Sequence, residues 1–302
     1  MVEVRVLRML GERDPENHKR CIQMKDCFEY RNHVCIVTGL LGMSVFDFLK
    51  GNGFEPFPGT HIREFAEQLF RSVACKDDGA VVHELSVVHT DLKPENILLV
   101  DAGFRTVPYG RRGQRVKRLL KNTEIRLIDF GSATFEDEYH SSVVSTRHYR
   151  APEIILGRQM QDWGWGLMWK GWGGRIRATY GAFPDTRQSG ASVYDGGDLW
   201  KAGAEADKTV FVRECVVKSA QKYFRHSGKL DYPNKDTSPS SRKFVKTMRP
   251  LAEIVPSTSA LNIHFLDLLT KIFIYDPSKR ITAREALSHP YFFSPITHLD
   301  TI

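Results

Sequence analysis

The chain has 302 residues, 41% hydrophobic and 26% charged, with a net charge of +7 and a pI near 9.1. These values fit a globular chain of one large or two small domains. Five scattered cysteines without a C-x-x-C pair, no apolar run of membrane-span length and no signal-peptide pattern argue against a disulfide framework, zinc site, membrane anchor or export.

In chain order, Val4, Val6, Leu7 and Leu10 mark residues 3–10 as the end of a helix. Cys27–Tyr30 and Val34–Val37, around the turn Arg31-Asn32-His33, predict a β-hairpin. Leu40-Leu41-Gly42 breaks the pattern, and Val45–Leu49 begins a short helix. From Thr60 onward Ile62, Phe65, Ala66, Leu69, Phe70 and Val73 recur at helical spacing, a core stripe rather than a ligand box. The basic stretch Arg105–Lys121, with Arg111, Arg112, Arg115, Lys117 and Arg118, is interrupted by Gly and Pro. It reads as a solvated hairpin or loop, and no zinc-finger or RNP-type pattern accompanies it, so no nucleic acid is expected. Phe265, Leu266, Leu269, Ile272 and Phe273 predict an amphipathic helix ending at Asp276-Pro277, and Thr282–Leu287 a further short one. Strands early and helices late give an α+β chain.

The chemistry lies in His89-Thr90-Asp91-Leu92-Lys93-Pro94-Glu95-Asn96 and Asp129-Phe130-Gly131, each adjoining an apolar run, Ile97–Val100 and Ile125–Ile128. Phosphoryl transfer needs positioning and charge neutralisation more than covalent help. Asp91 is placed to accept the proton of an incoming hydroxyl, and Lys93 to put positive charge on the migrating group. Asn96 and Asp129 offer the hard oxygens that Mg²⁺ selects when it bridges nucleotide phosphates. The pattern resembles the catalytic and metal-binding loops of protein kinases, with Thr90 where most carry Arg.

Two longer stretches sharpen the resemblance: Asp129-Phe130-Gly131-Ser132-Ala133-Thr134-Phe135 and Val144-Ser145-Thr146-Arg147-His148-Tyr149-Arg150-Ala151-Pro152-Glu153. They are similar to LAMMER-type, CDC-like dual-specificity kinases, over residues 3–157 and about 220–293. The resemblance implies an α+β, bilobal protein-kinase-like fold with the small lobe mostly missing. Residues 1–38 would be the small-lobe remnant, a helix end plus hairpin, and 39–302 the large, mainly α-helical lobe. Asp91 would be the catalytic base and Lys93 the phosphate-stabilising cation, with Asn96 and Asp129 as Mg²⁺ ligands. Thr38 would guard the back of the adenine pocket, the backbone of Gly39 and Leu41 would hold adenine, and Leu98 would lie beneath the ring. Glu3 matches the helix glutamate that pairs with the ATP-anchoring lysine. Thr146 and Arg150 fall in the activation segment, which a buried Glu153–Arg280 pair would anchor.

The same resemblance implies ATP and Mg²⁺ as cofactors and protein substrates, Arg/Ser-rich splicing factors being the expected ones. Serine and threonine would be the acceptors, with tyrosine open. The chain would be a monomer without nucleic acid or membrane partners, in the nucleus, with the cytoplasm as a second location. Thr90 cannot grip an activation-loop phosphate as Arg would, so activity should not depend on that phosphate. Glu136, Asp137 and Glu138 either attract basic substrates or form an exposed acidic turn.

Three departures stand against the pattern. The Gly-rich loop and the strand bearing the ATP lysine should lie upstream of Glu3 and are absent. Cys75–Val81 interrupts what should be one helix with an Asp-Asp-Gly stretch lacking an apolar face, an expected insertion at 75–81. From 158 to 207 the family pattern vanishes, and all five tryptophans fall there among many glycines. One reading is a genuine Trp/Gly-rich insertion. The other is a segment translated out of frame, because codons permitted for Phe183–Ser192 can spell Phe-Gln-Thr-His-Asp-Asn-Leu-Glu-His-Leu one nucleotide downstream. Tyr194–Gly197 can then spell Met-Met-Glu, close to the family's Glu-His-Leu-Ala-Met-Met-Glu-Arg signature. The readings left open are an active kinase, a kinase-like binding module without catalysis, and the non-functional product of a faulty gene model.

Overall fold

The computed structural model describes residues 2–74, 87–109, 115–135, 251–255, 257–274 and 279–296, with single positions 138, 144–146, 149, 154, 225, 231, 233, 235, 238–240 and 242–243. The expected insertion at 75–81 and the aberrant segment 158–207 lie outside the described residues. The chain divides into two compact units, Met1–Glu138 with Thr282–Ile302, and Tyr139–Ile281.

The first unit opens with α1, Val2–Arg13, which buries Val6 and Leu7. β1 (Met24–Tyr30) and β2 (His33–Thr38) follow as an antiparallel hairpin. Its turn is Arg31-Asn32, both at positive φ (48° and 61°), the backbone that lets a two-residue loop match the twist of its strands. His33 is therefore a strand residue opposite Tyr30, not part of the turn as expected.

α2 (Val45–Gly51) starts at Ser44, whose Oγ accepts from the Asp47 amide at 2.9 Å. α3 (Gly59–Val73) buries all six residues of the predicted stripe, Ile62, Phe65, Ala66, Leu69, Phe70 and Val73. Between these helices Phe57 stacks on Phe48 (5.7 Å between ring centroids) and meets the edge of Phe65 (5.2 Å). Full burial of each such ring contributes about 1.5–3 kcal/mol.

Three further two-stranded antiparallel sheets complete the first unit: β3 (Val87–Val88) with β8 (Thr134–Phe135), β4 (Ile97–Leu99) with β7 (Ile125–Leu127), and β5 (Phe104–Tyr109) with β6 (Arg115–Leu120). The last pair is the basic hairpin, and it is not wholly solvated. Lys117 is buried, its Nζ 5.6 Å from the Tyr109 ring centre, while the Tyr109 hydroxyl donates to Glu55. Burial pushes the Lys117 ammonium below the usual lysine range, against the pull of Glu55.

Two short helices return to this unit. α6 (Ala283–Leu287) begins with a reciprocal cap: the Glu285 amide donates to Thr282 Oγ1 at 3.2 Å and the Thr282 amide to Glu285 Oε2 at 2.8 Å. α7 (Pro290–Phe293) puts Phe292 edge-on to Phe70 of α3 at 5.7 Å, and Arg63 of α3 donates to the Ser294 carbonyl at 2.9 Å.

In the second unit α4 (Leu251–Ile254) precedes α5 (Ala260–Ile272), which buries Leu261, Phe265, Leu268, Leu269 and Ile272. Ser259 caps α5 by accepting from the Asn262 amide at 3.2 Å.

Candidate active site

The octapeptide forms a loop between β3 and β4, and Asp129-Phe130-Gly131 the turn between β7 and β8. Because β4 pairs with β7 and β3 with β8, the two loops are brought side by side. The β4–β7 ladder is extended by the segment after α1: the Ile22 amide donates to the Leu127 carbonyl and the Leu127 amide to the Arg20 carbonyl, both at 2.9 Å.

Four residues expected to carry the chemistry are linked here by hydrogen bonds. The side-chain Nδ2 of Asn96 donates to the Asp91 carbonyl at 3.0 Å and to Asp129 Oδ2 at 3.1 Å, and Lys93 Nζ bonds the Asp91 carboxylate. The Asn96 carbonyl accepts from the Ile128 amide at 3.0 Å, locking the end of the catalytic loop to the residue before Asp129. With its side-chain nitrogen so engaged, Asn96 keeps Oδ1 as its hard oxygen donor, and Asp129 supplies carboxylate oxygens. These oxygens fit a small divalent cation that takes its remaining ligands from phosphates and water. Among the described residues no cluster of three His, Cys, Asp or Glu side chains could hold a metal without such help.

The backbone is strained at two of these positions. Asp129 has φ 65° and Thr90 φ 63°. For a β-branched residue the left-handed region is a genuine outlier, costing on the order of 1–3 kcal/mol. Thr90 is buried and held by its hydroxyl, which donates to the Ser132 carbonyl at 2.7 Å. The residue in the usual Arg position thus ties the catalytic loop to the segment after Asp-Phe-Gly with a neutral bond.

His89 is one of the octapeptide residues to which sequence reasoning gave no role. It is 7% exposed, packs on Phe130 (4.9 Å between ring centroids), donates from Nε2 to the Ile128 carbonyl at 2.9 Å and accepts at Nδ1 from the Asp91 amide at 3.3 Å. Accepting at Nδ1 assigns the proton to Nε2. Burial holds its pKa below the usual 6.5, outweighing the raising effects of the Ile128 bond, Asp129 and Asp91. His89 is therefore a neutral bracket between the two loops. The only signal in the sequence was its position, two residues before Asp91.

The residues expected around adenine lie along one path. Thr38 ends β2, its hydroxyl 3.3 Å from the Gly39 carbonyl. The following linker docks on β4 through Gly42 N–H to the Leu99 carbonyl (2.8 Å) and Leu99 N–H to the Met43 carbonyl (3.0 Å). This approach requires glycine, since a Cβ at Gly42 would lie 3.0 Å from that carbonyl oxygen and 3.1 Å from the Ala102 nitrogen. Gly39 and Leu41 are half-buried on this linker. Leu98 is half-buried on β4, while its neighbours Ile97 and Leu99 point into the core. Glu3 reaches Gly131, its Oε2 3.7 Å from where a Cβ would stand there.

Thr146 belongs to the second unit, where its carbonyl accepts from the Tyr149 amide at 2.8 Å. Arg280 is buried and donates from Nε to the Ile274 carbonyl at 2.9 Å. Arg150 and Glu153, like Glu136 and Asp137, lie outside the described residues.

A protein kinase domain model matches residues 2–169. This chain belongs to the protein kinase family. A kinase domain known from its crystal structure superposes with a TM-score of 0.78 at 27% identity, over 96% of this chain and 82% of that one. The α+β kinase fold expected from the motifs is thereby borne out. The dual specificity protein kinase lkh1 of Schizosaccharomyces pombe is 45% identical over 98% of this chain and 41% of its own length. The human dual specificity protein kinase CLK1 is 39% identical over 96% of this chain and 56% of its length. The serine/threonine-protein kinase AFC3 of Arabidopsis thaliana is 38% identical over 97% of this chain and 72% of its length. The resemblance to LAMMER-type, CDC-like kinases holds on these relatives. The chain spans about half the length of the first two.

Proposed function

We propose that the chain transfers the γ-phosphoryl group of ATP, with Mg²⁺, to serine and threonine, and to tyrosine as a second acceptor, in Arg/Ser-rich proteins of the splicing type. The proposed setting is the nucleus, with the cytoplasm second. The observation that carries the reading is the bonded set Asp91–Lys93–Asn96–Asp129, four groups from two loops.

Each group has a task that its position supports. Asp91, with its amide held by His89 and its carbonyl by Asn96, presents its carboxylate to an acceptor hydroxyl and takes its proton as the oxygen attacks. Lys93, resting on Asp91, is within reach of the charge that develops on the transferred group. A divalent cation held by Asn96 Oδ1 and Asp129 would neutralise the nucleotide phosphates. The Gly39–Leu41 linker and Leu98 offer backbone polar groups and an apolar surface for a purine. The substrate class rests on the family resemblance and on acidic residues 136–138. Of these Glu138 is exposed, with its carboxylate engaged by Arg5.

The test is phosphate transfer from Mg-ATP to an Arg-Ser repeat peptide, compared with Asp91→Asn and with a peptide whose arginines are replaced by glutamine. The expected result is transfer that falls by about 10²–10⁴ in the variant and prefers the Arg-containing peptide. A wild-type chain that neither transfers phosphate nor gains melting temperature with Mg-ATP overturns the reading.

A further inference from the structure

Arg5, on the solvent side of α1, makes two contacts with one stretch of chain. Its guanidinium carbon lies 3.8 Å from the centre of the Phe135 ring, and its Nη1 donates to Glu138 Oε1 at 2.5 Å. Phe135 is buried and fixed opposite Val87 in the β3–β8 ladder. One side chain therefore joins the helix that carries Glu3 to the segment that follows Asp129-Phe130-Gly131. None of the catalytic roles above uses it.

The arrangement has the chemistry of an arginine phosphate clasp: a planar guanidinium, an aromatic face beneath it and an anionic oxygen at one of its nitrogens. Here the anion is a carboxylate encoded in the sequence. Thr90, which has no charge with which to hold a phosphate, secures the same stretch through the Ser132 carbonyl.

We propose that Arg5 is a positioning residue: with Phe135 and Glu138 it clasps α1, and so Glu3, to the start of the activation segment without any phosphate. The proposal deepens the kinase reading and rests on it only for its regulatory meaning, since the clasp is measurable without turnover.

The experiment is amide hydrogen exchange of the 302-residue chain, followed in peptides covering Val2–Arg13, with peptides from α3 as an internal control. An exposed ion pair is worth a factor of roughly 1.4–5, and an exposed cation–π contact about 2–5. Arg5→Ala removes both and should speed α1 exchange about 3–25-fold, whereas Glu138→Ala removes one and should speed it less. Both residues are exposed (side chains 55% and 41%), so α3 exchange should stay unchanged. Glu138→Arg should speed α1 exchange in the wild-type background and slow it in an Arg5→Glu background, a change of sign that only a direct contact produces. Treatment with a broad-specificity phosphatase should change nothing. Equal exchange in Arg5→Ala and wild type, one sign in both backgrounds, or phosphatase raising exchange to the Arg5→Ala level each overturns the clasp. A chain that shows the reversal but transfers no phosphate keeps the clasp and loses the kinase reading; an active chain without the reversal does the opposite.

Discussion

Replacing His89 with phenylalanine separates its polar role from its packing. The ring contact with Phe130 persists, but the Ile128 carbonyl loses its donor and the Asp91 amide one of its two acceptors, the other being the His89 carbonyl at 2.9 Å. An unsatisfied buried acceptor costs about 1–3 kcal/mol, and that is the expected loss in urea unfolding at pH 8. The more decisive effect is on pH dependence. His89 titrates below its unfolded value of 6.5 because it is buried. Its contribution is therefore fully present above pH 6.5 and lost as pH falls below it, where the unfolded chain binds a proton that the folded chain does not. Each such proton steepens the fall by up to about 1.4 kcal/mol per pH unit. His61, also lowered by burial, adds to the wild-type slope and remains in the variant. The wild-type curve should thus fall more steeply than that of His89→Phe between pH 6.5 and 5, and the two should converge. Parallel curves across that interval would refute a neutral His89 bracket.

Thr90→Gly and Thr90→Ala both lose the bond to Ser132, but only glycine relaxes the left-handed backbone. Urea unfolding should find Thr90→Gly more stable than Thr90→Ala by about 1 kcal/mol. Cys21 is buried and its thiol is pushed up to about 12 by burial, whereas Cys27 and Cys35 are half-exposed. Iodoacetamide at pH 8 followed by peptide mapping should label Cys27 and Cys35, and Cys21 only after denaturation. Thr282→Ala should lower stability by about 1 kcal/mol and Thr282→Ser should restore it, since serine keeps the oxygen that caps α6.

What was legible in the sequence was what depends on local pattern. The α3 stripe is a periodicity, and every member of it is buried. The octapeptide and Asp-Phe-Gly name four residues that hydrogen bonds link, Lys93 to Asp91 and Asn96 to Asp129 and to the Asp91 carbonyl. Pairing across distant segments was not legible. Nothing in the letters of Thr90 shows that its partner is a carbonyl 42 residues on, or that its backbone is left-handed. Lys117 counted as one more charge in a basic run, yet the register of its hairpin turns it inward beside Tyr109. Helix ends were displaced for a related reason. Of the Phe265–Phe273 stripe, Phe265, Leu269 and Ile272 are buried on α5, but Ser259 starts the helix at Ala260, and Phe273 caps it before Asp276-Pro277.

The bond from Arg63 to Ser294 joins residues 231 apart, and the Phe70–Phe292 contact spans a similar interval. A ribosome adding about 5–20 residues per second finishes α3 roughly 10–50 s before α7 exists to cover it. Through that interval the six-residue apolar stripe of α3 must wait with part of its cover unmade. Such separation makes the closing contacts slow to form and the nascent chain prone to sticky encounters. The short segment around α7 therefore governs how safely α3, made more than two hundred residues earlier, can be finished.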